Sequence, residues 1–223
     1  SSTCLGLRTP LRAALQVLRQ RHEKAKALCR KLGYKSCAEV LGAAILWSTR
    51  LVADDAATLA MILQTNGLSL LQQLYLGFDD AGVQSLCEGL GRGAAPSLLI
   101  LHLAQNNFGP AGAEALAAAL RRGAMPTLEV LNLQANPIGK QGVAALAAPL
   151  RKLPALRTMY LGHCEIGDEG VASLVDNLGK DDFKALEHLH LGNNKITDAG
   201  VANLLAALDA GGLPKLVNVP NML

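Results

Sequence analysis

One pattern recurs along most of the chain. Leu-x-x-Leu-x-Leu-x-x-Asn occurs as Leu98, Leu101, Leu103, Asn106, as Leu128, Leu131, Leu133, Asn136, and as Leu186, Leu189, Leu191, Asn194. A variant reads Leu156, Met159, Leu161, Cys164, and a weaker copy reads Leu71, Leu74, Leu76, Asp79. Leu46, Thr49, Leu51 and Asp54 make a degenerate first copy, and Leu216 with Val219 begin a last one. Successive starts lie 25, 27, 30, 28, 30 and 30 residues apart. A fixed period of this length marks a stack of like units, because each unit alone cannot bury its own apolar residues.

The second half of each unit has a helical signature. Gly139, Gly142, Val143, Leu146 and Leu150 repeat as Gly167, Gly170, Val171, Leu174 and Leu178, at spacings that place them on one helix face. Pro96, Pro126, Pro154 and Pro214 each stand two residues before the next unit's first leucine and favour an extended entry to a strand. The Asn sits at the bend after the strand, where its amide can bond backbone groups that the turn leaves unpaired. Cys164 takes that place once, as a smaller group with a weak donor. Only 3% of residues are aromatic, so the core must be made of Leu, Ala, Val and Ile.

These motifs resemble the ribonuclease-inhibitor-like leucine-rich repeats, well over residues 71–223 and weakly over 43–70. The Asn/Cys alternation and the Gly-Val-x-x-Leu helix carry the likeness. Similar repeats occur in NOD-like receptors and Ran GTPase-activating proteins. The resemblance implies an α/β fold: a right-handed leucine-rich-repeat solenoid with a parallel concave sheet, convex helices and protein binding across the sheet.

Residues 1–45 do not repeat and read as a basic helical-hairpin cap on a solenoid of residues 46–223. Thr9 and Pro10 look like a helix start, and Leu11, Ala14, Leu15, Leu18, Ala25, Leu28 and Leu32 form its apolar stripe up to Gly33. Ser36 and Glu39 read as a capping box for a second helix. Residues 1–35 hold nine Lys/Arg and one acid, although the whole chain is only +3. Arg12, Arg19, Arg21, Lys24, Lys26, Arg30 and Lys31 form either a solvated helix face or a basic docking patch for an acidic partner or lipid headgroups. At the other end, Asn221 replaces a core leucine, so the last strand's edge is expected to be either sealed by the tail, Met222-Leu223 included, or covered by a partner.

Within each strand the fourth and sixth positions point into the core, so the third, fifth and seventh face the concave side. The candidate partner-binding residues there and at the strand ends are Gln73, Tyr75, Phe78, His102, Asn132, Gln134, Tyr160, His163, His188 and His190. They are uncharged groups combining apolar surface with hydrogen bonding, a mixture that suits interfaces. Tyr75, Tyr160 and His190 are expected to contribute most.

Other chemistries find little support. The histidines do not assemble three or four ligands at zinc distance, so neither metal nor cofactor is expected. No nucleophile-elbow, phosphate-loop or zinc-protease motif is present, and no enzyme activity is expected. Asp79–Asp80 and Asp181–Asp182 read as solvated loop carboxylates. Nucleic acid is not an expected partner, since no basic stripe continues onto the repeats. Five cysteines without shared spacing fit a reducing compartment, cytoplasmic or, given the Ser1-Ser2 start, organellar. No transmembrane segment is expected. The leading reading is a non-catalytic protein-binding scaffold. Alternatives are a permanent accessory subunit of a larger assembly and a GTPase-activating type of regulator.

Overall fold

The computed structural model describes residues 3–48, 51–65 and 67–220, with side chains from residue 15 onward. A long helix α1 (Thr3–Lys31) and a short α2 (Cys37–Leu41) precede six strand–helix units. These are β1 (Ile45–Ser48) with α3 (Ala53–Gln64), β2 (Gln73–Leu76) with α4 (Asp80–Gly89), and β3 (Ile100–His102) with α5 (Pro110–Arg121). Then follow β4 (Val130–Asn132) with α6 (Gly139–Arg151), β5 (Thr158–Tyr160) with α7 (Gly167–Val175), and β6 (His188–His190) with α8 (Asp198–Asp209). All six strands pair in parallel and in chain order, and each helix from α3 onward packs on the next. Strands stack about 4.8 Å apart and helices about 10 Å apart, so the array must curve with its sheet on the inside.

The strand leucines do what the repeat demands. Leu46, Leu74, Leu101, Leu131, Met159 and Leu189 stand side by side across the sheet, and all are buried against the helices. The Asn positions form an internal ladder. Asn136 donates from Nδ2 to the Leu103 and Leu133 carbonyls at 2.7 and 2.8 Å, and its Oδ1 accepts from the Asn106 amide at 2.9 Å. Asn194 does the same with Leu161, Leu191 and the Cys164 amide. The Cys164 thiol keeps the donating half, to the Leu133 and Gly162 carbonyls. Burial pushes that thiol up to about 11, so it stays protonated and able to donate.

On the convex side, arginines reach the open carbonyls at helix ends, groups that a helix cannot satisfy itself. Arg122 Nε donates to the Leu90 carbonyl at 3.1 Å, and Arg151 reaches the Ser173 and Leu174 carbonyls at 2.6 and 3.1 Å.

Four expectations need correcting. The first repeat is set three residues earlier: Leu46 pairs with Leu74, so it is a fourth-position residue and Trp47 is a fifth-position one. Its start then falls at Ala43, 28 residues before Leu71, within the spread of the other repeats. Thr49 lies outside the described residues.

Phe78 is not on the sheet face but 4% exposed in the core. The bend of its unit is three residues shorter than the next, so Phe78 occupies the site that Phe108 fills there. Each amide donates to the following unit's Asn Oδ1, and each ring packs against a helix glycine four residues on. A Cβ on Gly82 would meet the Phe78 ring at 2.6 Å, which is why that position is glycine.

The aspartate pairs hold the structure. Asp79 does not occupy the Asn site; it caps α4 by accepting from the Gly82 amide at 2.9 Å. Asp80 accepts from the Gly109 and Gly112 amides, both at 2.8 Å, at the start of the neighbouring α5. Asp182 is buried, takes the Gly179 amide at 2.9 Å and pairs with Lys152 at 2.6 Å. Burial opposes its ionisation, but Lys152 and the Gly179 amide outweigh that and hold its carboxyl below the usual value. Asp181 keeps an exposed side chain, paired with Lys184.

Finally, α1 starts at Thr3, ahead of Thr9, and runs through Pro10. At about 1.5 Å per residue its 29 residues far outreach the 12-residue α3 that it covers. Leu28 and Leu32 are buried on that helix, whereas Leu15 and Leu18 overhang and stay exposed.

At the other end, the segment after Gly212 adds a partial rung to the sheet. Leu213 is buried, and Leu216 and Val219 pack on the core. The Val217 and Asn218 amides donate to the Glu187 carbonyl, and the Leu189 amide donates to the Asn218 carbonyl at 3.1 Å. Asn221, Met222 and Leu223 lie outside the described residues. Deleting residues 214–223 is expected to cost about 3 kcal/mol, from three lost backbone bonds and the lost packing of Leu216 and Val219. Thermal unfolding should register the loss, and size exclusion should show self-association through the bared β6 edge. An unchanged melting temperature in a monomeric variant would contradict a sealing role.

Candidate functional site

The inner face of the sheet carries one row of side chains from the fifth strand positions. In order these are Trp47, Tyr75, His102, Asn132, Tyr160 and His190, each the direct neighbour of the next. A second row at the third positions reads Ile45, Gln73, Ile100, Val130, Thr158 and His188. Neither row contains a carboxylate, lysine or arginine. The alternation of strand side chains delivers this face automatically, because the leucines between these residues turn inward.

The aromatic groups of the row touch one another. Tyr75 and His102 lie with ring centroids 5.1 Å apart at an interplanar angle of 31°, and Tyr160 and His190 stack at 4.3 Å and 21°. The Tyr75 hydroxyl donates to Gln73 Oε1 at 3.2 Å. Such contacts fix the rings before any partner arrives, so less side-chain freedom is lost on binding. At the first edge Trp47 is 72% exposed, the most open large aromatic among the described residues, and Ile45 beside it is also exposed. Ile45, Trp47, Gln73, Tyr75 and His102 together line an open hollow of about 520 Å³.

Of the residues expected at this site, Gln73, Tyr75, His102, Asn132, Tyr160, His188 and His190 share the sheet face, all half-buried. Gln134 and His163 lie at its downstream rim, with the His163 ring 3.0 Å from Asn193 Nδ2. His163 takes φ 54°, as Gln105, Ala135 and Asn193 take 59°, 56° and 59°, a left-handed bend that separates this rim from the core. Phe78 does not join them. Trp47 was missed because Ala43 and Leu51 stand where the repeat usually shows a leucine and an asparagine. The surviving signal was the Ile-Leu-Trp-Ser alternation of β1.

The basic residues of α1 do not form one patch. Lys24 pairs with Asp54 at 2.6 Å and Lys31 with Asp55 at 2.5 Å, both on α3, so these two hold the cap to the first repeat. Lys26 pairs with Glu23 on its own helix. Arg19, Arg21 and Arg30 are exposed, and the side chain of Arg12 lies outside the described residues.

Protonation is the one charge switch on the sheet face. Burial lowers the His102 pKa from 6.5, and burial together with the neighbouring His188 lowers that of His190. Both folded values lie below the unfolded one, so the unfolded chain takes up these protons first as pH falls. Their contribution to stability is whole above pH 6.5 and is lost as the pH drops from there through the lower folded values. A melting temperature that declines from pH 7 to pH 5, less steeply in a His102→Gln/His190→Gln variant, is expected. Equal slopes in the two proteins would contradict the assignment.

Among the described residues no helix is long and apolar enough to cross a membrane. Comparison with curated proteins found no match. The family model described as Leucine Rich repeat matches residues 94–117, 124–147, 152–175 and 185–205. Each match overlaps one of the strand–turn–helix stretches described above, and the units on either side share their parallel sheet. The chain folds as an α/β leucine-rich-repeat solenoid.

Proposed function

We propose that this chain is a non-catalytic protein-binding module of the ribonuclease-inhibitor-like kind, which grips its partner across the inner face of the sheet. The observation that carries the reading is the charge-free row from Trp47 to His190, exposed at Trp47, half-buried beyond it and pre-stacked at two points. Large exposed rings of this sort gain most from being covered by another protein, and their polar tips give direction to the contact. The subfamily is supported by the Asn136, Cys164 and Asn194 ladder and by the helical return limb of every unit. The free thiols of Cys29, Cys37, Cys87 and Cys164 suit a reducing compartment.

A second reading, a permanent subunit of a larger assembly, is favoured by the overhang of α1. Leu15, Val17 and Leu18 are exposed there, an apolar surface that an obligate neighbour would cover.

Affinity purification with three baits tests the first reading and separates it from the second. The baits are the wild type, a sheet-face variant (Trp47→Ala/Tyr75→Ala/Tyr160→Ala) and a helix-face variant (Glu114→Arg/Gln141→Arg). Partners retained by the wild type and the helix-face variant, but lost from the sheet-face variant, support sheet-face binding. Partners that stay with all three baits and through high salt point to the permanent-subunit reading.

A further inference from the structure

The cap holds a pair of thiols that the binding role does not use. Cys29, near the end of α1, donates from Sγ to the Sγ of Cys37, the first residue of α2, across 3.2 Å. Both are reduced. Cys29 is buried, whereas Cys37 is half-exposed and opens onto a hollow of about 280 Å³. His22, Lys26, Arg30 and Lys35 line that hollow beside the two sulfurs. Two carboxylates lie close by: Glu23 pairs with Lys26 at 3.0 Å, and Glu39 accepts the Lys35 backbone amide at 2.9 Å. Basic groups therefore dominate the lining.

The pair differs from the other described cysteines. Cys87 and Cys164 are fully buried, and burial pushes them up to about 12 and about 11. Neither has a sulfur partner. At Cys29 and Cys37 an accessible thiol, a second thiol at contact distance and a cationic mouth occur together.

We propose that Cys29 and Cys37 form a redox-active dithiol site whose substrate is a small anionic disulfide of the glutathione disulfide class. Cys37 loses its proton to solvent, and its thiolate attacks one sulfur of the substrate. The substrate S–S bond breaks, one thiolate leaves, and a mixed disulfide stands on Cys37. The Cys29 thiol then loses its proton and attacks Cys37 Sγ, forming the internal bridge and expelling the second thiolate. Two protein thiols are oxidised and one disulfide is reduced to two thiols. Burial and the Cys37 contact hold Cys29 up at about 11, which assigns it the second, resolving step. The basic lining attracts the negative charge of the substrate to the exposed sulfur.

The bridge would close a ring over residues 29–37. Tyr34 lies inside that ring, and its hydroxyl donates to the Ile45 carbonyl at 3.0 Å. Oxidation thus fixes a contact to β1, the strand that carries Trp47.

The test treats the reduced full chain with oxidised glutathione and counts thiols after denaturation. Of five cysteines in the sequence, three should remain reactive, with two glutathione molecules released per chain and a bridge joining tryptic peptides 27–30 and 36–50. Cys29→Ser should stop at a glutathione adduct on Cys37, and Cys37→Ser should leave Cys29 unmodified. Lys26→Gln/Lys35→Gln should slow the reaction several-fold with oxidised glutathione but not with neutral hydroxyethyl disulfide. Five thiols surviving in the wild type, a bridge through other cysteines or an adduct on Cys29 would overturn the site. Equal slowing with both disulfides would overturn the anionic-substrate assignment. The wild-type peptide map needs no variant to fold.

Discussion

Asn136→Ala is expected to be the most destabilising single truncation in the middle of the solenoid, at about 3–5 kcal/mol. The side chain is 0% exposed and serves three backbone groups at hydrogen-bond distances of 2.7–2.9 Å. Alanine removes the amide and leaves the Leu103 carbonyl and the Asn106 amide without partners, and the Leu133 carbonyl with the Cys164 thiol alone, in a space closed to water. Each stranded group costs on the order of 1 kcal/mol or more. Asn136→Cys is the informative control. Cys164 already shows that a thiol at this site reaches two carbonyls, at 3.2 and 3.3 Å, so the cysteine variant should lose less than half as much. Equilibrium unfolding of the three proteins measures this. Equal losses for alanine and cysteine would mean that the ladder bonds contribute little and that packing alone sets the cost.

Trp47→Ala should separate binding from folding. Because the indole is 72% exposed, its removal should change stability by no more than about 0.5 kcal/mol. A ring of this size at the centre of a contact typically contributes about 2 kcal/mol, so partner affinity should fall about 30-fold. Tyr160→Ala should weaken binding too, and His190→Ala less, since the histidine rests on the tyrosine at 4.3 Å. A titration by calorimetry or fluorescence, with melting curves as the stability control, distinguishes these effects. Lost affinity together with a lost melting transition would indicate a folding role instead.

Much of this architecture was legible because a solenoid writes its core into its period. From Leu71 onward the leucine positions and the helical return limbs follow from spacing alone, and from Asn106 onward so does the Asn ladder, since each unit meets only its neighbours. The repeat failed as a guide where a unit lost its landmarks. Ala43 and Leu51 concealed the placement of β1, and with it Trp47. The short bend before α4 moved Phe78 from an apparent surface site to a core plug. A cue was present in the sequence: Phe78, Phe108, Ile138, Ile166 and Ile196 each precede a helix glycine by four residues. Paired charges were the least legible feature. Nothing in local spacing announces that Asp80 accepts amides from the next unit, or that Lys24 and Lys31 reach α3. Those contacts depend on how units stack.

The direct test of sheet-face binding is site-specific photo-crosslinking in the complex. A photoreactive residue replaces Trp47 or Tyr160 on the sheet face, and Glu114 or Ala144 on the helix face. Adducts to the partner from positions 47 and 160, with little or none from 114 and 144, are the predicted result. Adducts from the helix positions alone would show that the partner docks on the convex side and would contradict the account.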